Sequence, residues 1–266
     1  MDGSEKPFAG QWGLILGASS GFGEATALAL AKRGMSVFGV HFDRAIALAH
    51  VQEIRDKIKS FGADSEYFNV NAADDEKRAE VVAVVKAKVA RPLKFLLHSL
   101  AFGSLKPFIA ADSKEALNRK QMEMTVDVMA HSLVWWTQDL LRAGLLGKGS
   151  RIMVMTSAGS TRVWKTYGAV SAAKAELESH IRQLTLELAP HGITCNSIRA
   201  GVTMTPALQK IPGNDRMMQW ALEMNPHKRA TTPEDVAETI AVLCQDETRW
   251  MTGNVIGVDG GEFITG

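Results

Sequence analysis

The stretch WGLILGASSGFGEATALALAKRG, residues 12–34, constrains the fold of this chain more than any other. An apolar run of strand length enters a turn with glycines at 17, 21 and 23, and an Ala/Leu-rich run of helical composition leaves it. A strand that feeds a helix through so short a turn continues as a crossover, which sets the next strand parallel to the first. Each glycine has its own reason to be there. Gly17 allows a tight turn, Gly21 lets a pyrophosphate approach the backbone, and Gly23 lets the helix pack closely on the strand. The helix N-terminus adds unpaired N–H groups and a partial positive charge for the phosphates. Gly17, Ser19, Ser20, Gly21, Phe22 and Gly23 are therefore expected to hold the phosphate end of a dinucleotide. Glycines also punctuate ordinary turns, so it is the order strand, turn, helix that gives the trio its force.

The same rhythm runs to the end of the chain. The segments WGLIL, SVFGV, SEYFNV, KFLLHS, RIMVMT, ITCNSIR and NVIGV predict strands, and helical patterns fall near 22–33, 44–61, 75–90, 113–143, 168–189 and 233–245. This alternation predicts an α/β chain: a single-domain, doubly wound Rossmann fold over residues 1–266, with a seven-stranded parallel sheet and helices on both faces. Residues 204–230 break the rhythm, placing more chain between the last two strands than a connection needs. Met204, Met217, Met218 and Met224, with Trp220, mark this insertion as a small helical substrate lid. Flexible thioethers suit an acyl chain of variable shape, so Met204, Met217 and Trp220 are expected substrate contacts.

Composition excludes several classes of partner. A net charge of +1 leaves no electrostatic footprint for nucleic acid. No run approaches the roughly 20 apolar residues that a bilayer requires, so no membrane association is expected. The opening MDGSEKPFAGQWG lacks an apolar signal segment, and a cytoplasmic protein is expected. Cys195 and Cys244 lie in apolar runs and read as buried thiols. Glu176 and His180 stand four apart on one predicted helix, a spacing that metal ligands use, but the sequence sets no third ligand beside them. They read as a solvated pair, with no metal.

The coenzyme's identity is written at the end of the second strand, GVHFDR. A carboxylate there would bind the ribose 2′-hydroxyl of NAD, whereas cations there would bind a 2′-phosphate. His41 stands where the acid would be, with Arg44 three residues on, and both are read as coenzyme contacts. They favour NADPH; Asp43 between them keeps NADH open.

The glycine spacing, together with Tyr167 and Lys174 in YGAVSAAK, resembles the short-chain dehydrogenase/reductase family over the whole chain. Asn69 and Val70 match its adenine-side turn, Gly201 the turn after the sixth strand, and VDGG its closing motif. The resemblance implies that Lys174 holds the nicotinamide ribose and lowers the pKa of the tyrosine. Ordinary members leave three residues between tyrosine and lysine; here there are six, and Val170 occupies the usual tyrosine position. Seven positions are two helical turns, so the phenol stays on the same face, about 10.5 Å along the axis from the lysine rather than about 6 Å. The long gap is the pattern of the enoyl-[acyl-carrier-protein] reductase branch, and Ser157 in place of a second tyrosine makes the type III kind the nearest match. HSLAFGS resembles that branch through Ser99, Leu100, Ala101 and Phe102, and SIRAGVTMTPAL through Thr203 and Thr205.

The displaced phenol has a chemical reason. In a ketone, hydride arrives at the carbon that bears the oxygen. In a 2-enoyl thioester it arrives at the β-carbon, and charge collects on the more distant thioester oxygen, which needs a donor further from the nicotinamide. The expectation is a reductase of the C2=C3 bond of an acyl-carrier-protein-linked or CoA-linked enoyl thioester, using Tyr167, Lys174 and Ser157. A 3-oxoacyl or other ketone reductase is the rival within the family, and a silent dinucleotide sensor the rival outside catalysis. Thr125 replaces the family's relay asparagine, which puts that relay in doubt. Trp135 and Trp136 lie in the helix through which relatives pair subunits and read either as an interface or as burial within one chain; the resemblance implies a homotetramer.

Overall fold

The computed structural model describes residues 6–265, so the first five residues of the opening stretch lie outside it. In chain order the elements are β1 (Trp12–Leu16), α1 (Gly21–Lys32), β2 (Ser36–His41), α2 (Leu48–Ser60), β3 (Ser65–Asn69), α3 (Asp75–Lys88) and β4 (Phe95–His98). There follow α4 (Arg119–Val126), a π turn (Asp127–His131), α5 (Ser132–Arg142), β5 (Arg151–Ser157), α6 (Gly168–Leu188) and β6 (Thr194–Ala200). The last elements are α7 (Pro206–Gln209), α8 (Asn214–Met224), α9 (Pro233–Leu243) and β7 (Val255–Val258). All seven strands run parallel in the order β3-β2-β1-β4-β5-β6-β7, so the doubly wound sheet is as expected.

The central strands bury both faces because alternate residues feed two cores. Leu14, Leu16, Leu96, Ile152 and Val154 pack against α3, α5 and α6, through Val81, Val85, Leu133, Trp136, Leu177 and Ile181. Ile15, Phe95, Leu97 and Met153 pack on the opposite face against Leu30, Ile54, Val236 and Ile240 of α1, α2 and α9. Small residues let α1 and α9 approach each other at Ala25, Ala29 and Ala237. Trp136 is wholly buried, its indole N–H donating to Ala72 O at 2.8 Å, while Trp135 stays part-exposed.

Two boundaries depart from the sequence reading. The helix expected from residue 113 begins at Arg119, behind an Asn118 capping box in which Asn118 accepts from Gln121 N and Gln121 accepts from Asn118 N. A local cap satisfies the first-turn donors and fixes the start. The insertion at 204–230 forms two short helices, α7 and α8, broken at Pro212–Gly213, where Gly213 takes φ +79°. Among the described residues, no helix is long and apolar enough to cross a membrane.

Candidate functional site

After β1 the chain steps to one side of the sheet through β2, and after β3 it crosses back to β4 on the other. That reversal opens a crevice at the carboxyl ends of the strands, the usual ligand position in such sheets. A cavity of about 610 Å³ occupies it. Gly17, Ser19, Ser20, Gly21 and Phe22 form one end of its wall. Ser20 precedes α1 without making a side-chain cap, which leaves the first-turn N–H groups to face the cavity. Gly17 holds φ +88°, and a Cβ there would sit 2.4 Å from Ser99 O. Gly23 lies behind the turn rather than on the wall; a Cβ there would sit 2.0 Å from Gly17 O. The trio thus shapes a cradle for a pyrophosphate-sized group, and a nicotinamide dinucleotide fits the residues present.

The end of β2 is built differently from the expectation. His41 is buried on the wall, and its Nδ1 lies 2.9 Å from Asp43 Oδ2. Asp43 also lines the cavity, whereas Arg44 is exposed and does not. Asn69 is likewise off the wall. Its carboxamide grips the Asp43 backbone from both sides, accepting from Asp43 N at 2.9 Å and donating to Asp43 O at 3.0 Å. Asn69 therefore positions the β2 loop, and the adenine side of the wall is Val70, Asn71 and Ala72.

Tyr167, Lys174 and Ser157 all line the cavity. Ser157 ends β5, and Tyr167 is the residue on which α6 starts. Gly159 makes room for both side chains: a Cβ there would lie 2.5 Å from the Tyr167 ring and 3.1 Å from Ser157 Oγ, which accepts from Gly159 N at 3.2 Å. Thr166, just before the tyrosine, is held at φ +66°, a conformation that a β-branched residue seldom adopts. Val170, at the short spacing, is buried in the core beside Ala173 and Leu177. Burial raises the Tyr167 pKa, partly offset by Ser157, so the expected depression by Lys174 is not what this geometry gives. The phenol stays protonated and is a hydrogen-bond donor at neutral pH.

Lys174 is buried, its ammonium donating to Met155 O at 2.6 Å, and burial lowers its pKa to about 8. One turn on, Glu178 accepts from Thr156 at 2.6 Å and tethers α6 to β5. His98 is wholly buried off the cavity wall, with Nε2 2.8 Å from Ser132 Oγ. Burial holds its pKa down to about 3, so it serves as a neutral strut between β4 and α5. Thr125 anchors the loop after β4: it accepts from Ser104 N at 3.0 Å and donates to Gln121 O at 2.7 Å. Both hydroxyl functions are thus engaged away from a relay.

Ser99, Leu100, Ala101, Phe102, Gly201, Thr203 and Thr205 line the middle of the cavity, and Met217 and Trp220 its far end. Met204 does not. Thr203 and Thr205 are buried, and in an extended segment the residue between them faces the other way, which leaves Met204 half-exposed. Sequence reasoning missed Arg162, which lines the same end with its guanidinium 5.0 Å from the Trp220 ring and 4.8 Å from the Phe263 ring. The sequence signal was slight: Arg162 is one of two cations, with Lys165, in the loop between β5 and α6.

A family described as "Enoyl-(Acyl carrier protein) reductase" matches residues 17–262. The chain is 32% identical over 174 residues to enoyl-[acyl-carrier-protein] reductase [NADH] FabI of Aquifex aeolicus, a match that covers 65% of this chain and 63% of that protein's own length. It is 30% identical over 258 residues to 1-cyclohexenylcarbonyl-CoA reductase of Streptomyces collinus, covering 96% of this chain and 87% of the other. The crystal structure of the Aquifex aeolicus enoyl-[acyl-carrier-protein] reductase (NADH) superposes with a TM-score of 0.84 at 27% identity, covering 97% of this chain and 98% of that one.

Proposed function

The chain belongs to the enoyl-(acyl carrier protein) reductase family, and on that premise we propose that it reduces the C2=C3 bond of a 2-enoyl thioester with a nicotinamide dinucleotide. One observation carries the reading. The phenol in the cavity stands at Tyr167, beside Ser157, while the short-spacing position is Val170, sealed in the core. A site built this way lacks the donor that a ketone reductase would set next to its lysine.

When bound, the coenzyme supplies the hydride. Gly17, Ser19, Ser20 and Gly21 would hold its pyrophosphate, and Lys174 its nicotinamide ribose. Tyr167 and Ser157 would donate hydrogen bonds to the thioester oxygen as charge collects there, and Tyr167 would then give the enolate its proton, directly or through water, to complete the reduction. Phe102, Met217 and Trp220 would pack the acyl chain, with residues 204–230 as its lid. The coenzyme we favour is NADH, reversing the preference for NADPH drawn from His41 and Arg44. The His41 ring is already paired with Asp43, and the Asp43 carboxylate on the wall repels a 2′-phosphate. A cytoplasmic homotetramer paired through the α4–α5 side completes the reading, with either acyl carrier protein or CoA as thioester carrier.

A paired assay tests it. Loss of reduced-nicotinamide absorbance is followed with crotonyl and acetoacetyl thioesters, each with NADH and with NADPH. The crotonyl thioester with NADH should be consumed fastest. Faster consumption of the acetoacetyl thioester would overturn the reaction, and a preference for NADPH would overturn only the coenzyme assignment.

Coenzyme binding should also fail on the alkaline side. The Lys174 pKa lies near 8, so the ammonium is charged below that pH and loses its proton as pH rises through it. The KM for NADH should therefore be flat below pH ~8 and climb above it, because a neutral amine holds ribose hydroxyls less well. In Lys174→Met the KM should be high at every pH, with no alkaline limb; a limb that persists would assign it to another group.

A further inference from the structure

Outside the cavity, α6 and the π turn bring together three groups that the sequence keeps apart. His131 closes the π turn, and its Nδ1 lies 3.0 Å from Glu176 Oε1. His180, one turn after Glu176 on α6, has Nε2 3.5 Å from the same oxygen. The three ligand atoms lie within 4.8 Å of one another, and the two imidazole rings are 5.6 Å apart. None of the three lines the cavity. The third ligand that the Glu176–His180 spacing lacked is thus supplied by a residue 45 positions earlier in the chain.

We propose that His131, Glu176 and His180 form a binding site for a divalent transition-metal ion of the zinc class. Two imidazoles and a carboxylate are a donor set that Zn²⁺ takes at about 2.0–2.2 Å, with a fourth position left for water. Tetrahedral ligands at that radius stand roughly 3.3 Å apart, so the two distances to the carboxylate already match, and a small closing of the rings completes the triangle. In the single chain, side-chain exposures of 39%, 27% and 24% leave the rims of the three groups reachable by an ion. A second feature points the same way: His180 Nε2 is buried and has no hydrogen-bond partner among the described residues. That atom is a ligand with its lone pair or proton unspent. The π turn is what aims His131, since its extra residue lets Val128, Met129 and Ala130 stay buried while His131 emerges toward α6.

The consequence is mechanical. The ion would bolt the α4–α5 helical run to the middle of α6, the helix that follows Tyr167 and carries Lys174. It therefore acts on stability, without a part in the reduction.

The test uses tag-free, chelator-treated full-length protein titrated with Co²⁺ and with Zn²⁺. One Co²⁺ per chain should bind, with the visible d–d bands of a four-coordinate site, and saturating Zn²⁺ should raise the melting temperature. Losing a group that only hydrogen-bonds a ligand already weakens metal sites about 10–100-fold, so removing a ligand itself in His131→Gln or His180→Gln should weaken binding by about 100-fold or more and abolish the thermal shift. His50→Gln, which removes an exposed histidine that also sits between two carboxylates, Glu24 and Glu53, should change neither. An anomalous-scattering map from Co²⁺-soaked crystals gives an answer independent of the variants: a peak between His131 and His180 supports the site. Binding that survives both variants, a peak elsewhere only, or no Co²⁺ spectrum would each overturn it.

Discussion

Tyr167→Phe should lower kcat/KM for a crotonyl thioester by about 10²–10³-fold, the cost of removing one preorganised donor from a developing oxyanion. Coenzyme affinity should stay within about twofold, because the phenol reaches toward substrate, whereas the coenzyme rests on the glycine turn and Lys174. The packing cost should be small. The ring stays in its slot against Gly159, and only the hydroxyl is removed. Ser157→Ala should cost less, roughly 10-fold, since a single neutral hydrogen bond contributes about 0.5–1.5 kcal/mol. Steady-state kinetics with binding measured separately by nicotinamide fluorescence would check both. Undiminished turnover in Tyr167→Phe would remove the geometric basis of the whole functional reading. A loss confined to KM would mean that the phenol binds the ground state and the transition state alike.

The same argument explains why moving the tyrosine back should not create a ketone reductase. In Tyr167→Phe/Val170→Tyr the new phenol would have to enter the core where Val170 packs beside Ala173 and Leu177. The loop after β4 already presses on that position; the place of a Cβ on Gly103 is 2.8 Å from Val170 Cγ2. The expected outcome is a destabilised protein without acetoacetyl reduction.

What could be read from the sequence follows from how locally each feature is specified. The seven strands were legible because buried parallel strands are short continuous apolar runs, and their bounds shift by a residue or so in the structure. The Tyr167–Lys174 face was legible because helical phase depends only on spacing. The outward turn of Met204 was not, since it depends on which side of an extended segment Thr203 and Thr205 bury. Nor was the idle position of Arg44, because the path of the β2 loop is set by Asn69, 26 residues away in sequence, gripping Asp43. The Tyr167 pKa was misread for a related reason: family analogy supplied a cation, but burial is the larger influence at the place where the chain puts the phenol. His131 could not have been paired with α6 from sequence, because a π turn shifts the face by one residue and leaves no compositional trace.

Gly23→Ala should be the most damaging single-methyl change in the chain. The added carbon would meet Gly17 O at 2.0 Å and Gly17 C at 2.8 Å, both backbone atoms that cannot rotate away. Either α1 must lift from β1, or the Gly17 turn must open. Lifting α1 breaks the fit of Ala25 and Ala29 against Ala237, and it withdraws the helix N-terminus from the cradle. Opening the turn runs into the opposite wall, because Gly17 is itself held at φ +88° with Ser99 O behind it. Overpacking of a tight core costs about 1–3 kcal/mol and sometimes more, and a rigid backbone contact belongs at the upper end. For a chain of this length about 3 kcal/mol lowers the melting temperature by roughly 6–12 °C. Gly21→Ala makes an informative contrast: its Cβ would meet only the Thr205 side chain, at 3.3 Å from Cγ2 and 3.6 Å from Cβ, although φ +55° adds some backbone strain. Its melting temperature should fall less, while dinucleotide affinity falls in both variants, since the methyl stands where the backbone must approach the pyrophosphate. Thermal melts and coenzyme titrations of the two proteins side by side separate packing from contact. Equal melting temperatures, or a Gly23→Ala protein that binds NADH normally, would show that α1 has slack which the 2.0 Å approach does not allow.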